Sequence, residues 1–459
     1  METNKNITIN PFTMENISEF EFDSKGTIRE KLLISNDSFN RWSKFKIEER
    51  ISQLKSFRNK LFNQKKQVAT LMTNEMGKPI KQSIAEVERC LRIIDYSFEN
   101  ASNFLSDEKV DFSNGKALIT YCPQGVILGI QPWNFPLYQV IRFAIPNLLA
   151  GNTVLLKHAN NVWGSALKIE ELFNSPDISS GIFQVLKAKE DDLDQLYSAR
   201  EIRGVTFTGS DKVGRIIGKK AGENLKKTVL ELGGNDAYIV LKDCDLDLAV
   251  KKCVEGRIVN NGETCISAKR FLIESDIYDE FKNKYIEAMN NLVIGNPMNE
   301  DTNIGPLSRK DILDKLDEQV KESIKKGANC LLGGERIDKK GLFYAPTVLE
   351  NLEPGMPAYD DELFGPVASL IKVNNLKDAL NISNKSKYGL GGGIFGANES
   401  QLIDIAKNYI DTGMININGY GSADPNIPFG GVKDSGYGRE FNNHGFREFV
   451  NIKSIMVHE

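Results

Sequence analysis

The spacing of hydrophobic residues changes near residue 105. Between Thr27 and Leu105, apolar residues recur every three or four positions, as at Ile51 and Leu54. This period predicts helices that bury one face against a core. The short, polar stretch 1–15 predicts an arm with one strand.

Beyond this region, short apolar runs alternate with helical stretches. Helices are predicted at 137–149 and 163–173, and strands at 118–121, 126–130, 154–157, 181–186 and 204–207. Alternation of this kind predicts a parallel sheet with helices on its faces. Ligands of such folds bind beyond the carboxyl ends of the strands.

The alternation restarts after Gly234 and predicts a second α/β domain that extends to about residue 430. Strands are expected at 237–240 and 271–273. The tail after His444 has alternating apolar positions, which predict an added strand.

Composition narrows the function classes. A chain of 459 residues is too long for one core and predicts two or three domains. The net charge of −4 does not favour binding to nucleic acid or to an anionic membrane. No apolar run approaches ~18 residues and no signal sequence opens the chain, so we expect a cytoplasmic protein. The six cysteines and three histidines have no metal-ligand spacing, which argues against a zinc site.

Two short motifs suggest a base and a nucleophile. Glu231 precedes Leu232 and a glycine pair, as expected where backbone is closely approached. Cys265 follows the Gly262 turn, which suggests a thiol held out into a cleft. The alternative is that Cys265, like most single cysteines, is a small buried apolar residue.

Asn134 lies in Gln131-Pro132-Trp133-Asn134-Phe135-Pro136, directly after a predicted buried strand. The two prolines make this segment rigid, so the amide is able to donate to a developing oxyanion. The alternative is that Asn134 only satisfies the backbone of a turn.

Ser210 follows Thr206-Phe207-Thr208-Gly209 and precedes a predicted helix. A capped helix N-terminus after a glycine turn binds phosphate, although the same pattern also describes a merely capped helix. Gly214 and Gly218 share one helical edge, which allows close packing.

Six motifs together resemble the aldehyde dehydrogenase family. They occur in the family's order: Pro132-Trp133-Asn134-Phe135-Pro136, Phe207-Thr208-Gly209-Ser210, Glu231-Leu232-Gly233-Gly234, Gly262-Glu263-Thr264-Cys265, Glu362-Leu363-Phe364-Gly365-Pro366-Val367 and Pro428-Phe429-Gly430-Gly431-Val432-Lys433-Asp434-Ser435-Gly436. The resemblance implies an α/β fold with a Rossmann-type cofactor domain, an α/β catalytic domain and a small β oligomerisation arm. The implied bounds are 1–105 and 124–233 for the cofactor domain, 234–430 for the catalytic domain, and 106–123 and 444–459 for the arm.

The resemblance also implies roles for three residues. Cys265 would attack the aldehyde and carry a thiohemiacetal and then a thioester. Asn134 and the backbone N–H of Cys265 would hold the oxyanion. Glu231 would activate the water that hydrolyses the thioester, which favours hydrolysis over acyl transfer to coenzyme A.

The implied cofactor is NADP or NAD, and no metal is needed. Glu362 matches the family's contact to the nicotinamide ribose, Phe364 its contact to the nicotinamide, and Lys157 its contact to the adenosine ribose. The remaining implied cofactor contacts are Ile130, Trp133, Asn160, Gly209, Ser210, Gly214 and Leu232.

Two positions depart from the family pattern. Asn160 stands where an NAD-selective enzyme would carry Glu, which repels a 2′-phosphate. We therefore expect NADP to be tolerated, either beside NAD or in preference to it. Glu263 stands where Gln is usual; if ionised near Cys265 it would raise the pKa of the thiol, but we expect its side chain to point away.

Arg142 suggests the substrate class. An arginine among so many apolar neighbours needs a partner or a path to water. Within the family, Arg at this position is typical of bacterial succinate-semialdehyde dehydrogenases, where it pairs with the distal carboxylate of the substrate. Ser422 is a candidate for a second hydrogen bond to that carboxylate. A further arginine of some such enzymes is replaced by Val259, and Arg257 is a candidate to compensate.

The alternatives are ordered by chemistry. Glutarate semialdehyde or another ω-carboxylated aldehyde is the nearest alternative, because one methylene changes binding by only ~1–3 kcal/mol. A broad aliphatic aldehyde dehydrogenase comes next. Phosphorylating chemistry would need a histidine partner, and none lies in a suitable motif. A non-catalytic protein on this fold is the remotest alternative. By resemblance, we expect a homodimer or homotetramer.

Overall fold

The computed structural model describes residues 5–458, and an N-terminal region of two strands and four helices opens it. The predicted bounds at residues 1–4 and 459 lie outside the described residues. The elements of this region are β1 (Lys5–Ile9), β2 (Asn16–Glu21), α1 (Lys25–Trp42), α2 (Ile47–Asn63), α3 (Lys65–Met76) and α4 (Ile80–Phe104).

The strand expected within residues 1–15 is present as β1, but its partner β2 was not predicted. β1 and β2 pair antiparallel, and Thr8 is fully buried. The Asn10 side chain accepts hydrogen bonds from the backbone N–H groups of Phe12 and Thr13, which stabilises the turn between the strands. The polar composition of the segment concealed this turn chemistry.

A six-stranded sheet occupies the next part of the chain. The elements are β3 (Glu108–Phe112), β4 (Gly115–Pro123), β5 (Val126–Gln131), α5 (Tyr138–Ala150), β6 (Thr153–His158), α6 (Trp163–Phe173), β7 (Phe183–Val185), α7 (Asp194–Ser198), β8 (Ile202–Thr208), α8 (Asp211–Glu223) and β9 (Lys227–Glu231). The strands β9-β8-β5-β6-β7 lie in this order and run parallel, as the alternation predicted.

A seven-stranded sheet follows. Its region contains β10 (Ala237–Val240), α9 (Leu246–Ile258), β11 (Arg270–Glu274), α10 (Tyr278–Asn290), α11 (Lys310–Lys325), β12 (Asn329–Leu332), β13 (Thr347–Glu350), α12 (Pro357–Asp360), β14 (Val367–Val373), α13 (Leu376–Asn384), β15 (Tyr388–Gly389), β16 (Gly392–Phe395), α14 (Glu399–Tyr409) and β17 (Asn416–Ile417). The order is β12-β13-β14-β11-β10-β16-β17, and only β12 is antiparallel to its neighbour.

The chain ends in a third sheet. The last elements are β18 (Val432–Lys433), β19 (Gly436–Tyr437), α15 (Asn442–Arg447) and β20 (Val450–His458). β20 confirms the predicted tail strand and pairs antiparallel with β4, which pairs with β3. β19 adds to the six-stranded sheet beside β9. Ile452 and Val457 of β20 are largely exposed.

The N-terminal hairpin contacts both large sheets. The Asn6 side chain donates a hydrogen bond to the Asn160 carbonyl, just after β6. At the turn, the Pro11 carbonyl accepts from the backbone N–H of Leu342, which precedes β13. No helix within residues 5–458 is long and apolar enough to cross a membrane.

Candidate active site

A cavity of about 370 Å³ lies beyond the carboxyl ends of β5, β8 and β9. Parallel strands bring their carboxyl ends to one edge of the sheet, which is where ligands bind in such folds. α11 and the segment before β14 line it from the side of the seven-stranded sheet. The predicted site residues that line it are Trp133, Asn134, Gly209, Ser210, Leu232, Cys265, Glu362 and Phe364.

A strained turn presents Cys265 to this cavity. Asn260 and Asn261 have φ values of 55° and 57°, and Gly262 follows at 78°. Asparagine and glycine are the residues that tolerate this left-handed conformation best. A side chain at Gly262 would meet the Gly365 carbonyl at 2.3 Å, so only glycine fits.

Asn134 is held beside this turn. Its Nδ2 donates to the Glu263 carbonyl at 3.0 Å, and its Oδ1 accepts from Gln139 at 3.3 Å. Asn260 Nδ2 in turn donates to the Asn134 carbonyl at 2.8 Å. An amide nitrogen carries two hydrogens, so Asn134 retains one that is free to donate to a ligand.

A buried ion pair fixes the segment that carries Asn134. Glu86 accepts hydrogen bonds from the backbone N–H groups of Leu137 at 3.0 Å and Tyr138 at 2.9 Å, where α5 begins. Lys78 pairs with Glu86, and both side chains are almost fully buried. A carboxylate at a helix N-terminus satisfies free N–H groups and the helix dipole. Neither residue was singled out from the sequence, because the backbone groups that Glu86 binds lie more than 50 positions away.

Several charges act on the Cys265 thiol. Burial raises its pKa to about 12. Arg142 and Lys269 lower the pKa, whereas Glu362 and Glu231 raise it. The thiol is therefore protonated at neutral pH in the ligand-free protein, and its ionisation depends on the balance of these four charges.

Lys269 was not predicted as a site residue. Its Nζ donates to the carbonyl oxygens of Cys265 at 2.6 Å and Thr264 at 3.1 Å, and it lies 3.4 Å from Glu362 Oε1. The side chain is almost fully buried. The available signal was a lysine directly before a buried strand, since a charge at such a position requires partners.

Glu231 is buried at the end of β9 but does not line the cavity. Neither carboxyl oxygen has a hydrogen-bond partner within residues 5–458. Burial and the neighbouring Glu440 raise its pKa well above the usual range, while Arg142 and Arg439 oppose this. The raised pKa favours the protonated form of Glu231 more than in an exposed glutamate.

Arg142 has a partner within the protein. Its Nε lies 2.5 Å from Glu440 Oε2, and its Nη2 donates to Thr208 at 3.0 Å. The guanidinium also lies over the Phe429 ring, 4.8 Å from the centroid. Arg142 is 1% exposed and does not line the cavity described above. Its expected contact with a substrate carboxylate therefore stays a prediction.

Ser422 lies apart from the first cavity. It lines a second cavity of about 370 Å³ together with Ile266, Met414 and Arg439. Ile266 directly follows Cys265, so this second cavity approaches the nucleophile from another side. Arg439, which the sequence motifs did not single out, supplies the positive charge there.

The predicted contacts to adenosine lie around the ends of β5 and β6. Ile130 and Lys157 are both largely buried, and burial lowers the pKa of Lys157, as does the nearby Arg309, while Glu190 raises it. Asn160 Oδ1 is buried without a hydrogen-bond partner within the described chain. Glu190 and Arg309 line the cavity.

The helix that begins after Ser210 has the predicted cap. Ser210 Oγ accepts from the backbone N–H of Val213 at 3.3 Å. Gly214 allows the predicted close approach, because a Cβ there would meet the Leu232 side chain at 2.5 Å. The N-terminus of α8 therefore lies against the cavity wall with its free N–H groups and positive dipole end.

Glu263 and His158 are both held by hydrogen bonds within the protein. Glu263 accepts hydrogen bonds from the backbone N–H and hydroxyl of Ser308, so it points away from Cys265 as predicted. Burial raises its pKa well above the usual range, which favours the protonated acid at the position where the family usually has an amide. His158 lies between backbone carbonyls, and burial lowers its pKa to about 4, consistent with a structural role.

The cavity has the features that a dinucleotide needs. A helix N-terminus suits a pyrophosphate, and the Glu362 carboxylate suits ribose hydroxyls. Outside the lining residues, after β6, the unpaired Asn160 Oδ1 suits a hydroxyl donor. At Gly233, a Cβ would lie 2.6 Å from Glu362 Oε2, so glycine at this position leaves space beside that oxygen. Within residues 5–458, no group of three or more His, Cys, Asp or Glu residues is arranged to hold a metal ion.

Comparison with known proteins gives a consistent result. The sequence model of the aldehyde dehydrogenase family matches residues 1–455. The succinate semialdehyde dehydrogenase [NAD(P)+] Sad of Escherichia coli K12 is 41% identical over 449 residues, which cover 98% of this chain and 97% of that protein. A succinate-semialdehyde dehydrogenase [NADP(+)] of Deinococcus radiodurans is 39% identical, covering 98% of this chain and 94% of that protein.

Solved structures agree with this likeness. The succinic semialdehyde dehydrogenase of Streptococcus pyogenes, solved with NADP+, superposes with a TM-score of 0.97 at 37% identity, covering 99% of this chain and 100% of that one. A betaine aldehyde dehydrogenase of Staphylococcus aureus, solved with NAD+, superposes with a TM-score of 0.95 at 28% identity, covering 99% and 94%. The fold is therefore shared by proteins whose names state different substrates and cofactors.

Proposed function

The chain belongs to the aldehyde dehydrogenase family, and on this premise we propose that it oxidises succinate semialdehyde to succinate with NADP or NAD. The observation that carries the proposal is the meeting of Cys265, Asn134 and Glu362 on one cavity wall. A nucleophile, an amide donor and a ribose-binding carboxylate are the groups that this oxidation requires.

The cofactor would lie along the cavity. The N-terminus of α8 would bind the pyrophosphate, Glu362 the nicotinamide ribose and Lys157 the adenosine ribose, with Phe364 against the nicotinamide. Trp133, Leu232 and Ile130 would complete the apolar wall. When bound, the nicotinamide supplies the hydride acceptor.

Acylation begins at Cys265. Its thiol loses a proton, and the thiolate sulfur bonds to the aldehyde carbon. The oxygen becomes an oxyanion that accepts hydrogen bonds from the second amide hydrogen of Asn134 and from the backbone N–H of Cys265. Loss of hydride from the resulting thiohemiacetal leaves a thioester on Cys265.

Deacylation requires a base, and Glu231 is the proposed one. Its carboxyl group must lose its proton and rotate toward the thioester to take a proton from water. Glu231 directly precedes Leu232, which lines the cavity, and we propose that its side chain turns toward Cys265 for this step. The hydroxide adds to the thioester carbon, and the thiolate of Cys265 leaves with succinate formation.

The substrate assignment rests on the relatives and on charge. Relatives about 40% identical are named for succinate semialdehyde. Two arginines lie near Cys265 on the side away from the cofactor: Arg142, which Glu440 already neutralises, and Arg439, which shares the second cavity with Ser422. We propose that the distal carboxylate binds on this side, where Arg142 and Ser422 are the predicted contacts. Glutarate semialdehyde remains the alternative substrate.

Cofactor choice is proposed to be dual. Asn160 lacks the charge that would repel a 2′-phosphate, and the Arg309 guanidinium lines the same cavity. Glu190 also lines it and favours NAD, because a carboxylate repels that phosphate. The names of the relatives include both NAD(P)+ and NADP+.

Domain roles and assembly are likewise proposed. The six-stranded sheet would bind the cofactor, and the seven-stranded sheet would carry the nucleophile. The β20-β4-β3 sheet, with exposed apolar residues on β20, would join subunits of a homodimer or homotetramer. Light scattering of the purified protein would give the number of subunits.

The deciding experiment follows reduced nicotinamide by absorbance. Succinate semialdehyde, glutarate semialdehyde and hexanal are each supplied with NAD and with NADP. We expect the highest kcat/KM with succinate semialdehyde, and no turnover in Cys265→Ala. Cys330→Ala is the matched control, because Cys330 is an exposed cysteine far from the cavity residues. A preference for hexanal would contradict the substrate assignment, and turnover by Cys265→Ala would contradict the mechanism.

A further inference from the structure

Lys269 connects the turn of the nucleophile to the wall of the cofactor cavity. Its ammonium group donates to the carbonyls of Cys265 and Thr264, and it approaches the Ser267 carbonyl at 3.5 Å. On its other side lies Glu362 Oε1, at 3.4 Å. One buried cation is therefore shared between three backbone oxygens of the nucleophile turn and one carboxylate of the cavity.

Glu362 is the part of this arrangement that a ligand can reach. Its Oε1 accepts from the backbone N–H of Gly234 at 3.1 Å, and the residue lines the cavity. Its side chain is 18% exposed, whereas that of Lys269 is 1% exposed. A ligand in the cavity is thus able to engage the carboxylate but not the ammonium.

The charges facing Cys265 oppose one another. Arg142 and Lys269 favour the thiolate, whereas Glu362 and Glu231 oppose it. Glu362 also partly cancels the field of Lys269, since it is the nearest carboxylate to that ammonium. Asp236, at the start of β10, is the other acidic group that Lys269 faces; burial raises its pKa to about 6 and Lys269 lowers it.

We propose that Lys269 is a positioning residue that links cofactor binding to the reactivity of Cys265. Hydrogen bonding of ribose hydroxyls to Glu362 weakens the hold of this carboxylate on Lys269, and the ammonium then acts more fully on the nucleophile turn. The thiol gives its proton to solvent and becomes the thiolate when the cofactor is in place. The inference rests on the proposed contact between Glu362 and the ribose.

This link has a chemical advantage. A thiolate that persisted without cofactor would add to aldehydes with no hydride acceptor present, and it would be open to oxidation. A carboxylate that masks Lys269 until the cofactor binds keeps Cys265 protonated in the empty enzyme. The order of binding would then follow from electrostatics.

The test measures the ionisation of Cys265 and not turnover. The full-length enzyme is treated with iodoacetamide over a range of pH, without aldehyde, and alkylation of the Cys265 peptide is quantified by mass spectrometry. Each series is repeated with saturating NADP, with saturation verified by tryptophan fluorescence. The midpoint of the pH profile gives the thiol pKa, and steric shielding by NADP changes only the plateau. Alkylation of the exposed Cys330 in the same samples is the internal reference.

Opposite changes are expected in two variants. In the wild type, NADP should lower the midpoint by about one pH unit, which is a tenfold gain in thiolate below the midpoint. Glu362→Gln should have the lower midpoint without NADP and respond little to it, because the amide keeps the hydrogen bond from Gly234 but loses the charge. Lys269→Met should have a higher midpoint in both conditions. Lys310→Met, which removes an exposed lysine of α11, should match the wild type.

The outcomes separate this inference from the proposed function. The inference would be overturned, even if succinate semialdehyde is oxidised, by a wild-type midpoint that does not change when NADP binds. It would also be overturned if NADP shifted the midpoint of Glu362→Gln as much as that of the wild type. A midpoint in folded Lys269→Met equal to that of the wild type would overturn it as well. If Lys269→Met does not fold, Glu362→Gln alone decides. Aldehyde turnover tests the proposed function independently.

Discussion

Two charged clusters lie on either side of Cys265, and they are built differently. The cofactor-side cluster is Lys269 with Glu362, in which the ammonium is surrounded by carbonyl and carboxylate oxygens. The rear cluster is Arg142 with Glu231 and Glu440, in which two buried carboxyl groups surround one guanidinium. Glu231 has no hydrogen-bond partner within residues 5–458.

The two clusters suit different roles: one fixes the geometry of the nucleophile turn, and the other suits proton transfer. A cation with every donor satisfied keeps its neighbours in one geometry, so the cofactor-side cluster fixes the nucleophile turn. Two buried carboxyl groups near one cation cannot both be ionised at low cost, so the pKa values of Glu231 and Glu440 are raised. A carboxyl group without fixed partners is free to rotate and exchange a proton, as a general base must.

The largest expected effect comes from removing the proton acceptor of the rear cluster. Glu231→Gln should lower steady-state kcat by about 10²–10⁴-fold, since general-base catalysis contributes this much. Acylation should persist, so rapid mixing should give a burst of about one reduced nicotinamide per active site. The thioester should then be detectable by mass spectrometry of the intact protein. Loss of the burst would instead place Glu231 in the acylation step.

The same variant tests whether Glu231 causes the pH dependence of kcat. Because burial and Glu440 raise the pKa of Glu231, the wild-type kcat should fall as the pH drops below this raised value. The acidic limb should therefore lie well above the pKa of an ordinary glutamate, and Glu231→Gln should lack it. An acidic limb that is unchanged in the variant would assign it to another group.

A smaller effect is expected from breaking the ion pair of the rear cluster. Arg142→Met leaves Glu440 buried without its cation and should lower the free energy of unfolding by about 3–5 kcal/mol. Denaturant titration measures this loss. Arg58→Met is the control, because the partly exposed Arg58–Asp95 pair should contribute less than about 1 kcal/mol.

The activity of Arg142→Met tests the substrate side. If Arg142 also contacts the distal carboxylate, KM for succinate semialdehyde should rise about tenfold or more while KM for hexanal changes little. An equal change for both aldehydes would mean that Arg142 serves Glu440 alone, and Arg439 would become the candidate anchor.

The smallest effect is expected at Glu263, a buried carboxyl group outside both clusters. Its folded-state pKa is raised, so the unfolded chain releases this proton at a lower pH than the folded protein does. Above the unfolded pKa, the wild type therefore loses stability as the pH rises, by up to about 1.4 kcal/mol for each pH unit until the folded pKa is reached. Glu263→Gln lacks this loss. The amount by which its unfolding midpoint exceeds that of the wild type should therefore be larger at pH 8 than at pH 5. An advantage that shrinks with pH would mean that Glu263 is ionised in the fold.

Local patterns predicted much of the fold and the cavity-lining residues. The period of apolar residues predicted β10 and α6 at their observed bounds. In these segments the buried positions are those that the apolar pattern indicates. The motifs around Asn134, Cys265 and Glu362 are short: Asn134 follows β5 of the six-stranded sheet, whereas Cys265 and Glu362 precede β11 and β14 of the seven-stranded sheet.

The charged partners could not be predicted in the same way. Arg142 meets Glu440 from the far end of the chain, and Lys269, just before β11, meets Glu362, which lies before the neighbouring strand β14. The need of a buried charge for a partner is visible in the sequence, but the identity of that partner is a property of the tertiary fold. The two-stranded hairpin at the N-terminus was missed for the same reason, since its apolar residues find their contacts elsewhere.

That hairpin also has a consequence for synthesis on the ribosome. Phe12 packs edge-on against Phe343, 331 positions later in the chain. At ~5–20 residues per second, the first turn of the protein waits roughly 15–70 s before its docking site has been translated. An early segment of the chain therefore completes its contacts only after about three quarters of the protein has been translated.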